Sequence, residues 1–80
     1  MKITKGEYCQ FTLQGKTQLL HLYGKVICRR TIEDKGITIF RIFDFYVEVI
    51  YNNEQMDNLI IQAEPVSQNL INFYKSTDDI

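Results

Sequence analysis

The side chains with the greatest chemical capacity occupy alternate positions in two segments of the chain. They are His21, Tyr23, Lys25, Asp44, Tyr46 and Glu48, with Tyr8 earlier in the sequence. Alternate residues of a β-strand point to the same face of a sheet. If the two segments are neighbouring antiparallel strands, Tyr23 lies opposite Tyr46 and His21 lies opposite Glu48. The pattern therefore predicts one sheet face, called the tyrosine face here, that carries aromatic rings and a histidine–carboxylate pair.

A hairpin with its turn at Glu33-Asp34-Lys35-Gly36 produces this pairing, because it sets Ile32 opposite Ile37 and Lys25 opposite Asp44. Matched cross-strand pairs stabilise a sheet by roughly 0.2–1 kcal/mol each. A shift of the register by one residue would place the lysine against an aromatic side chain, so the chemistry favours the first register. The shifted register would let the glycine act as the left-handed residue of a three-residue loop.

The predicted scaffold for these groups is α+β: an antiparallel four-stranded meander followed by one C-terminal helix packed on one face. The predicted elements of this single small domain, 1–80, are strands at about 7–14, 17–32, 37–51 and 56–63 and a helix at about 66–75. Alternating Cys9, Phe11 and Leu13 indicate the first strand. A two-residue loop at Gly15-Lys16 leads into the second strand.

Turn and capping signals delimit the last two elements. Asn52-Asn53-Glu54 predicts a turn, and a loop over 52–55 has several allowed lengths. Pro65 ends the fourth strand, because proline lacks the N–H that a ladder requires. Ser67 is a suitable N-cap, and Val66 with Ile71 fits a hydrophobic staple. The apolar stripe of this helix comprises Val66, Leu70, Phe73 and Tyr74.

Strand length restricts the architecture. A strand of about 15 residues spans about 50 Å, whereas a compact domain of this size is roughly 30 Å across. The predicted strands 17–32 and 37–51 must therefore bend, project as an arm, or pair with a second chain. Gly24 is the natural position for a bend. Strong bending predicts a partly closed barrel, and a projecting arm predicts a dimer.

Composition narrows the class of protein. An apolar fraction of 45% and a charged fraction of 24% are typical of a globular chain. The net charge of −1 gives no overall attraction to nucleic acid. No apolar run approaches the ~20 residues of a membrane span, and Met1–Gly6 lacks the apolar region of a signal peptide. These features predict a cytoplasmic protein that does not enter a membrane.

The two cysteines, Cys9 and Cys28, have a spacing that matches no zinc or redox motif. In the predicted register they lie about 20 Å apart along the strands, too far for a disulfide. We expect buried free thiols. No cofactor and no metal site are predicted, because one histidine with Glu48 supplies too few ligands.

The leading functional prediction is a small non-enzymatic module that self-associates, as a homodimer, or docks on a protein partner. Exposed aromatic residues flanked by paired charges are typical of interfaces. The predicted binding residues are Tyr8, His21, Tyr23, Lys25, Asp44, Tyr46 and Glu48.

Two alternatives use the same surface. Stacked tyrosines near Lys25 and Arg29 could hold a planar or anionic ligand, or the bases of single-stranded nucleic acid. Few basic residues, balanced by acidic ones, argue against nucleic acid. The third hypothesis is an acid–base enzyme in which His21 is the base, Glu48 orients it, and Tyr23 or Tyr46 is the acid.

Overall fold

A computed structural model of the chain describes residues 2–52 and 60–77, the last four of these by their backbone alone. The elements are α1 Lys5–Cys9, α2 Leu13–Tyr23, β1 Lys25–Ile32, β2 Lys35–Ile42, β3 Phe45–Asn52, β4 Ile60–Val66 and α3 Gln68–Thr77. The strands form one antiparallel sheet in the order β1-β2-β3-β4. The predicted α+β class, the four-stranded meander and the C-terminal helix are confirmed. The sheet is open rather than closed into a barrel.

The predicted strand at 7–14 is wrong, because this segment contains the end of α1 and the beginning of α2. Thr4 and Glu7 form a capping box at the start of α1. The Thr12 hydroxyl caps α2 by accepting a hydrogen bond from the Gly15 N–H at 3.1 Å. Each cap satisfies N–H groups of a first helical turn, and this favours helix over strand.

The alternation of Cys9, Phe11 and Leu13 does not reflect burial, since all three side chains are exposed. Neither cysteine is in a disulfide, as predicted, but the expected burial of Cys9 is wrong, because its side chain is exposed. The glycine that was expected to open a hairpin loop, Gly15, lies inside α2.

The predicted strand at 17–32 divides into the rest of α2 and the strand β1. Residues Lys16, Leu19 and Leu20 are buried on one side of α2, the i, i+3, i+4 spacing of a helix face. The helix ends at Gly24, whose N–H donates to the Leu20 carbonyl at 2.8 Å. The glycine that was predicted to bend a strand is thus the junction between a helix and a strand.

The predicted strand at 37–51 is two strands, β2 and β3, joined by the two-residue loop Phe43–Asp44. Phe43 has a φ of 56°, the left-handed region that the first residue of such tight loops requires. Each strand has eight residues, about 27 Å of extended chain, and fits a molecule of 36 × 29 × 17 Å. The turn at Phe43–Asp44 thus divides the predicted strand, which was too long for a compact domain, into two strands that fit.

This turn also divides the predicted apolar face. Ile37 and Ile39 pack on one side of the sheet, whereas Val47 and Val49 pack on the other. In the prediction all four shared one side, because a continuous strand keeps odd positions together.

The β1–β2 hairpin lies where it was predicted, but its register differs. Ile32 pairs with Lys35 and Ile37 pairs with Arg30, a shift of two residues from the predicted pairing. A shift of two keeps each side chain on its predicted side. A bulge at Ile27 then changes the register, between Val26 and Cys28.

β4 continues through Pro65 to Val66, so the predicted strand end is wrong. Proline is tolerated there because β4 is an edge strand. The Ser67 hydroxyl accepts a hydrogen bond from the Leu70 N–H at 3.4 Å, as expected of the predicted cap. The beginning of the predicted fourth strand, 56–59, and most of the loop before it lie outside the described residues.

Helices cover both faces of the sheet. α1 and α2 pack on one face, called the N-terminal face here, through a cluster that includes Tyr8, Leu20 and Val47. α3 covers the other, the C-terminal face, where Ile71 packs against Ile37 and Ile39. Phe73, predicted to lie on the buried stripe of this helix, is 60% exposed.

Candidate functional site

The predicted tyrosine face does not form. Tyr8 is fully buried in the core between α1 and the sheet, and its hydroxyl donates to the Ala63 carbonyl at 3.1 Å. Burial, followed by the negative charge of Glu64, raises the pKa of the Tyr8 hydroxyl well above its ordinary value. Tyr23 is 44% exposed at the end of α2, where its ring lies 5.5 Å from that of Phe43.

His21 and Glu48 are separated. His21 is exposed on α2, on the N-terminal face. Glu48 is buried on the C-terminal face, where its cross-strand neighbours are Ile39 and Glu64. The sheet therefore lies between the two groups that the enzyme hypothesis paired.

Of the remaining predicted binding residues, the structure brings two into one row. Lys25 and Tyr46 are cross-strand neighbours of Arg41, from β1 and β3 respectively. Asp44 lies instead in the β2–β3 loop, where its carboxylate is 3.6 Å from the Lys2 Nζ. The predicted pair of Lys25 with Asp44 is not formed.

A surface groove on the N-terminal face was not predicted. It consists of two adjoining cavities of about 270 and 310 Å³, which share the side chains of Phe40, Val49 and Ile60. The first cavity lies against α2, and the second lies toward β1. We call the two together the α2 groove.

The floor of the α2 groove is apolar and its two ends are polar. Thr17 and His21 line the end at α2, and Arg29 with Thr38 lines the end at β1. Tyr51 forms a wall there, with its ring so close to Gly36 that a Cβ atom at the glycine would lie 2.4 Å from it. No carboxylate occurs among the lining residues in the described part of the chain.

The outer edge of β1 borders this groove. Val26, 41% exposed, lies opposite Phe40 and therefore on the N-terminal face. Arg29 lies opposite Thr38 on the same face. Among the residues that the structure describes, β2 is the only strand paired with β1, so its other backbone edge, called the β1 edge here, has no strand beside it.

β1 is basic. It carries Lys25, Arg29 and Arg30 and no acidic residue, and Arg41 follows on β2. Within residues 2–52 and 60–77, no carboxylate forms an ion pair with Lys25, Arg29 or Arg41.

The opposite edge of the sheet, at β4, differs from the β1 edge in its backbone and in its charge. It contains Pro65, and the Glu64 carboxylate accepts hydrogen bonds from the buried Lys16 Nζ at 3.1 Å. The proline makes this edge a poor template for another strand, because it lacks the N–H that a ladder requires.

Sequence reasoning missed the groove because it missed α2, which forms one wall. One signal could have found α2: the capping Thr12. The Thr4–Glu7 capping box marks the helix before it, α1. No such signal marks the loop Phe43–Asp44, which turns β3 back and completes the floor.

Comparison with known proteins adds no relative: no family model, no curated protein and no solved structure matches the chain. None of the helices in the described segments is long and apolar enough to cross a membrane. The described residues contain no cluster of three or more histidine, cysteine or acidic side chains suited to a metal ion.

Proposed function

We propose that this chain is a non-enzymatic protein-interaction module whose contact surface is the α2 groove together with the β1 edge. One observation carries the proposal: β1, which has no outer neighbour among the described strands and bears the exposed Val26, lies directly beside an apolar groove floored by Phe40. Strand edges and apolar grooves are the two surfaces by which folded domains bind extended segments of other proteins.

Binding would come from the removal of apolar surface from water. A partner side chain that enters the groove contacts Phe40, Val49 and Ile60. Burial of apolar surface contributes roughly 25 cal/mol per Å² before the costs of association are subtracted. The polar ends of the groove, at His21 and Arg29, would orient the partner.

We propose a different protein, rather than a second copy of this chain, as the partner. Two copies paired through β1 would place the cationic Lys25 and Arg29 of each chain on neighbouring strands. Like charges on neighbouring strands are destabilising. The homodimer predicted from the sequence therefore requires another surface.

The proposed compartment is the cytoplasm, the setting predicted from the sequence. The free thiols support it: Cys9 is exposed and Cys28 is half-buried, and neither is in a disulfide. Exposed unpaired thiols are typical of proteins kept in reducing surroundings.

The experiment selects binders from a displayed library of random peptides, with the full chain immobilised. The affinity of a selected peptide is then measured for the wild type and for Val26→Asn and Ile61→Asn. The two positions make a matched comparison, because both are aliphatic edge-strand residues, 41% and 49% exposed. Val26 lies on the β1 edge opposite Phe40, whereas Ile61 lies on β4 at the other edge of the sheet.

We expect Val26→Asn to weaken binding about tenfold, the effect of about 1.4 kcal/mol, and Ile61→Asn to leave it unchanged. Amide signals of the labelled protein should move at β1 and the end of α2 when peptide is added. Failure to select any peptide, or equal losses in both variants, would overturn the proposal.

A further inference from the structure

We infer that the partner segment is an extended acidic strand that adds to the β1 edge as a fifth strand of the sheet. This inference rests on the proposed function and specifies the chemistry of the partner. Three features carry it: the backbone of β1, its charge, and the way its side chains divide between the two faces.

One backbone edge of β1 has no strand beside it among the residues that the structure describes. β1 has eight residues and pairs with β2 on one side only. On the free side of an edge strand, about every second residue directs its N–H and C=O outward. An added strand satisfies these groups, and its main chain thereby supplies affinity that does not depend on sequence.

The charge of the edge selects acidic side chains. Arg29 is exposed, lies at the end of the α2 groove and has no carboxylate partner among the described residues. A carboxylate on the added strand can bind its guanidinium through two parallel hydrogen bonds, which are stronger than hydrogen bonds between neutral groups. Lys25 and Arg41 provide a second cationic position at the start of β1.

The side chains of β1 lie on both faces of the sheet, and their distribution determines which side chains the partner strand needs on each face. Val26 and Arg29 lie on the N-terminal face, and Lys25 lies on the other face beside Arg41. The added strand therefore needs an aliphatic side chain next to Val26 and a carboxylate next to Arg29 on one face. A second carboxylate is favoured on the C-terminal face, next to Lys25.

A nucleic-acid strand fits this surface less well. Its phosphates would match the cations, but it supplies no row of alternating N–H and C=O groups to pair with the β1 backbone. These observations favour a polypeptide.

The first test uses the peptides selected on the full chain and examines their composition and charge dependence. We expect an excess of Asp and Glu among them, and at least about tenfold weaker binding when these are replaced by Asn and Gln, because the charge-assisted hydrogen bonds are lost. Arg29→Glu should weaken binding of the acidic peptide and favour a peptide with Lys in place of Glu.

The second test examines strand addition directly. Peptides are synthesised with one backbone amide methylated at a time. Addition at an edge predicts alternation: methylation at every second residue should abolish binding, and methylation at the residues between should be tolerated, because only one set of N–H groups faces β1.

The outcomes separate this inference from the proposed function. Selected peptides without an acidic excess, or losses on methylation that do not alternate, would overturn the acidic strand while the result with Val26→Asn still supports the module. Displacement of the peptide by single-stranded oligo-dT at matched ionic strength would also overturn it. If Val26→Asn has no effect, the proposed function itself fails.

Discussion

Tyr8 is the residue whose role differs most from its prediction. Its ring packs edge-on to Phe45 at 5.5 Å between centroids, and the Lys16 Nζ lies 5.7 Å from the ring centroid. The hydroxyl is satisfied by the Ala63 carbonyl, so a polar side chain is accommodated within the core. From the sequence alone, a tyrosine is equally compatible with the surface and with the core, because one end of its side chain is apolar and the other end is polar.

Burial of Tyr8 makes stability depend on alkaline pH. In the unfolded chain its hydroxyl titrates near the ordinary pKa of 10.0, and burial in the folded chain raises the pKa above that. The stabilising contribution is complete below the unfolded pKa and is lost as the pH rises through the folded one, because the unfolded state releases the proton first. We expect the free energy of unfolding, measured in urea, to fall above pH 10.0.

Tyr8→Phe provides the control. It should cost about 1 kcal/mol at neutral pH, since the hydrogen bond to the Ala63 carbonyl is lost. Its stability should decline less steeply than that of the wild type under alkaline conditions. Parallel declines in the two proteins would contradict the assignment to Tyr8.

At the scale of elements, the junction of α2 with β1 depends on Gly24. Any residue can adopt its φ of −82°, so glycine is required at this position for steric reasons. A Cβ atom there would lie 2.5 Å from the Leu20 carbonyl oxygen and 3.1 Å from the Phe40 ring. The same carbonyl accepts the hydrogen bond that ends the helix, so neither group can move away freely.

Gly24→Ala should therefore destabilise the fold by about 1–3 kcal/mol, the range of overpacking in a close-packed site. Gly6→Ala is the matched substitution, because the nearest atom to a Cβ there is 4.0 Å away. Gly6→Ala should be neutral or stabilise by up to about 1 kcal/mol, since alanine is the better helix former. Thermal unfolding followed by circular dichroism measures both, and equal changes would refute the close contact at Gly24.

At the scale of the whole molecule, we expect the basic charges of β1 to oppose pairing between copies at a sheet edge that no described strand covers. Natural sheets use charged side chains and bulges on edge strands to prevent pairing between copies. β1 has both, in Lys25, Arg29 and the bulge at Ile27. The opposite edge is protected differently, by Pro65.

Removal of this protection should cause self-association. In the double variant Lys25→Thr/Arg29→Thr, we expect the mass from light scattering to rise with protein concentration, while the wild type stays at one chain. Threonine suits a strand, so the fold should persist. The variant Lys2→Thr/Lys5→Thr changes net charge equally away from β1 and should behave like the wild type. Association of this second variant to the same extent would show that net charge, not the edge, controls the mass.

Two features of the fold after α2 were predictable from local patterns. The turn near Glu33 and the cap at Ser67 depend on neighbouring residues alone, and both occur where the sequence indicated them. The faces of the β1–β2 hairpin near its turn were also correct, because alternation fixes side-chain direction even when the register is shifted by two.

The N-terminal half and the candidate site were not predictable in the same way. Alternation at Cys9, Phe11 and Leu13 matched a strand, but the capping threonines Thr4 and Thr12 favour helix, and the structure follows the caps. The groove needs α2 on one face of the sheet and Arg29 at its far end, residues that no local pattern connects.

The sequence by itself determined the α+β class of the fold, the position of the hairpin near Glu33 and the conclusion that strands as long as 17–32 and 37–51 cannot both run straight in a compact domain. These follow from strand period, turn chemistry and chain length, which act over a few residues. Only the tertiary structure decided that the chain reverses at Phe43–Asp44 and that Tyr8 is core. Such choices depend on which arrangement buries the most apolar surface across distant segments, a quantity that no local stretch of residues contains.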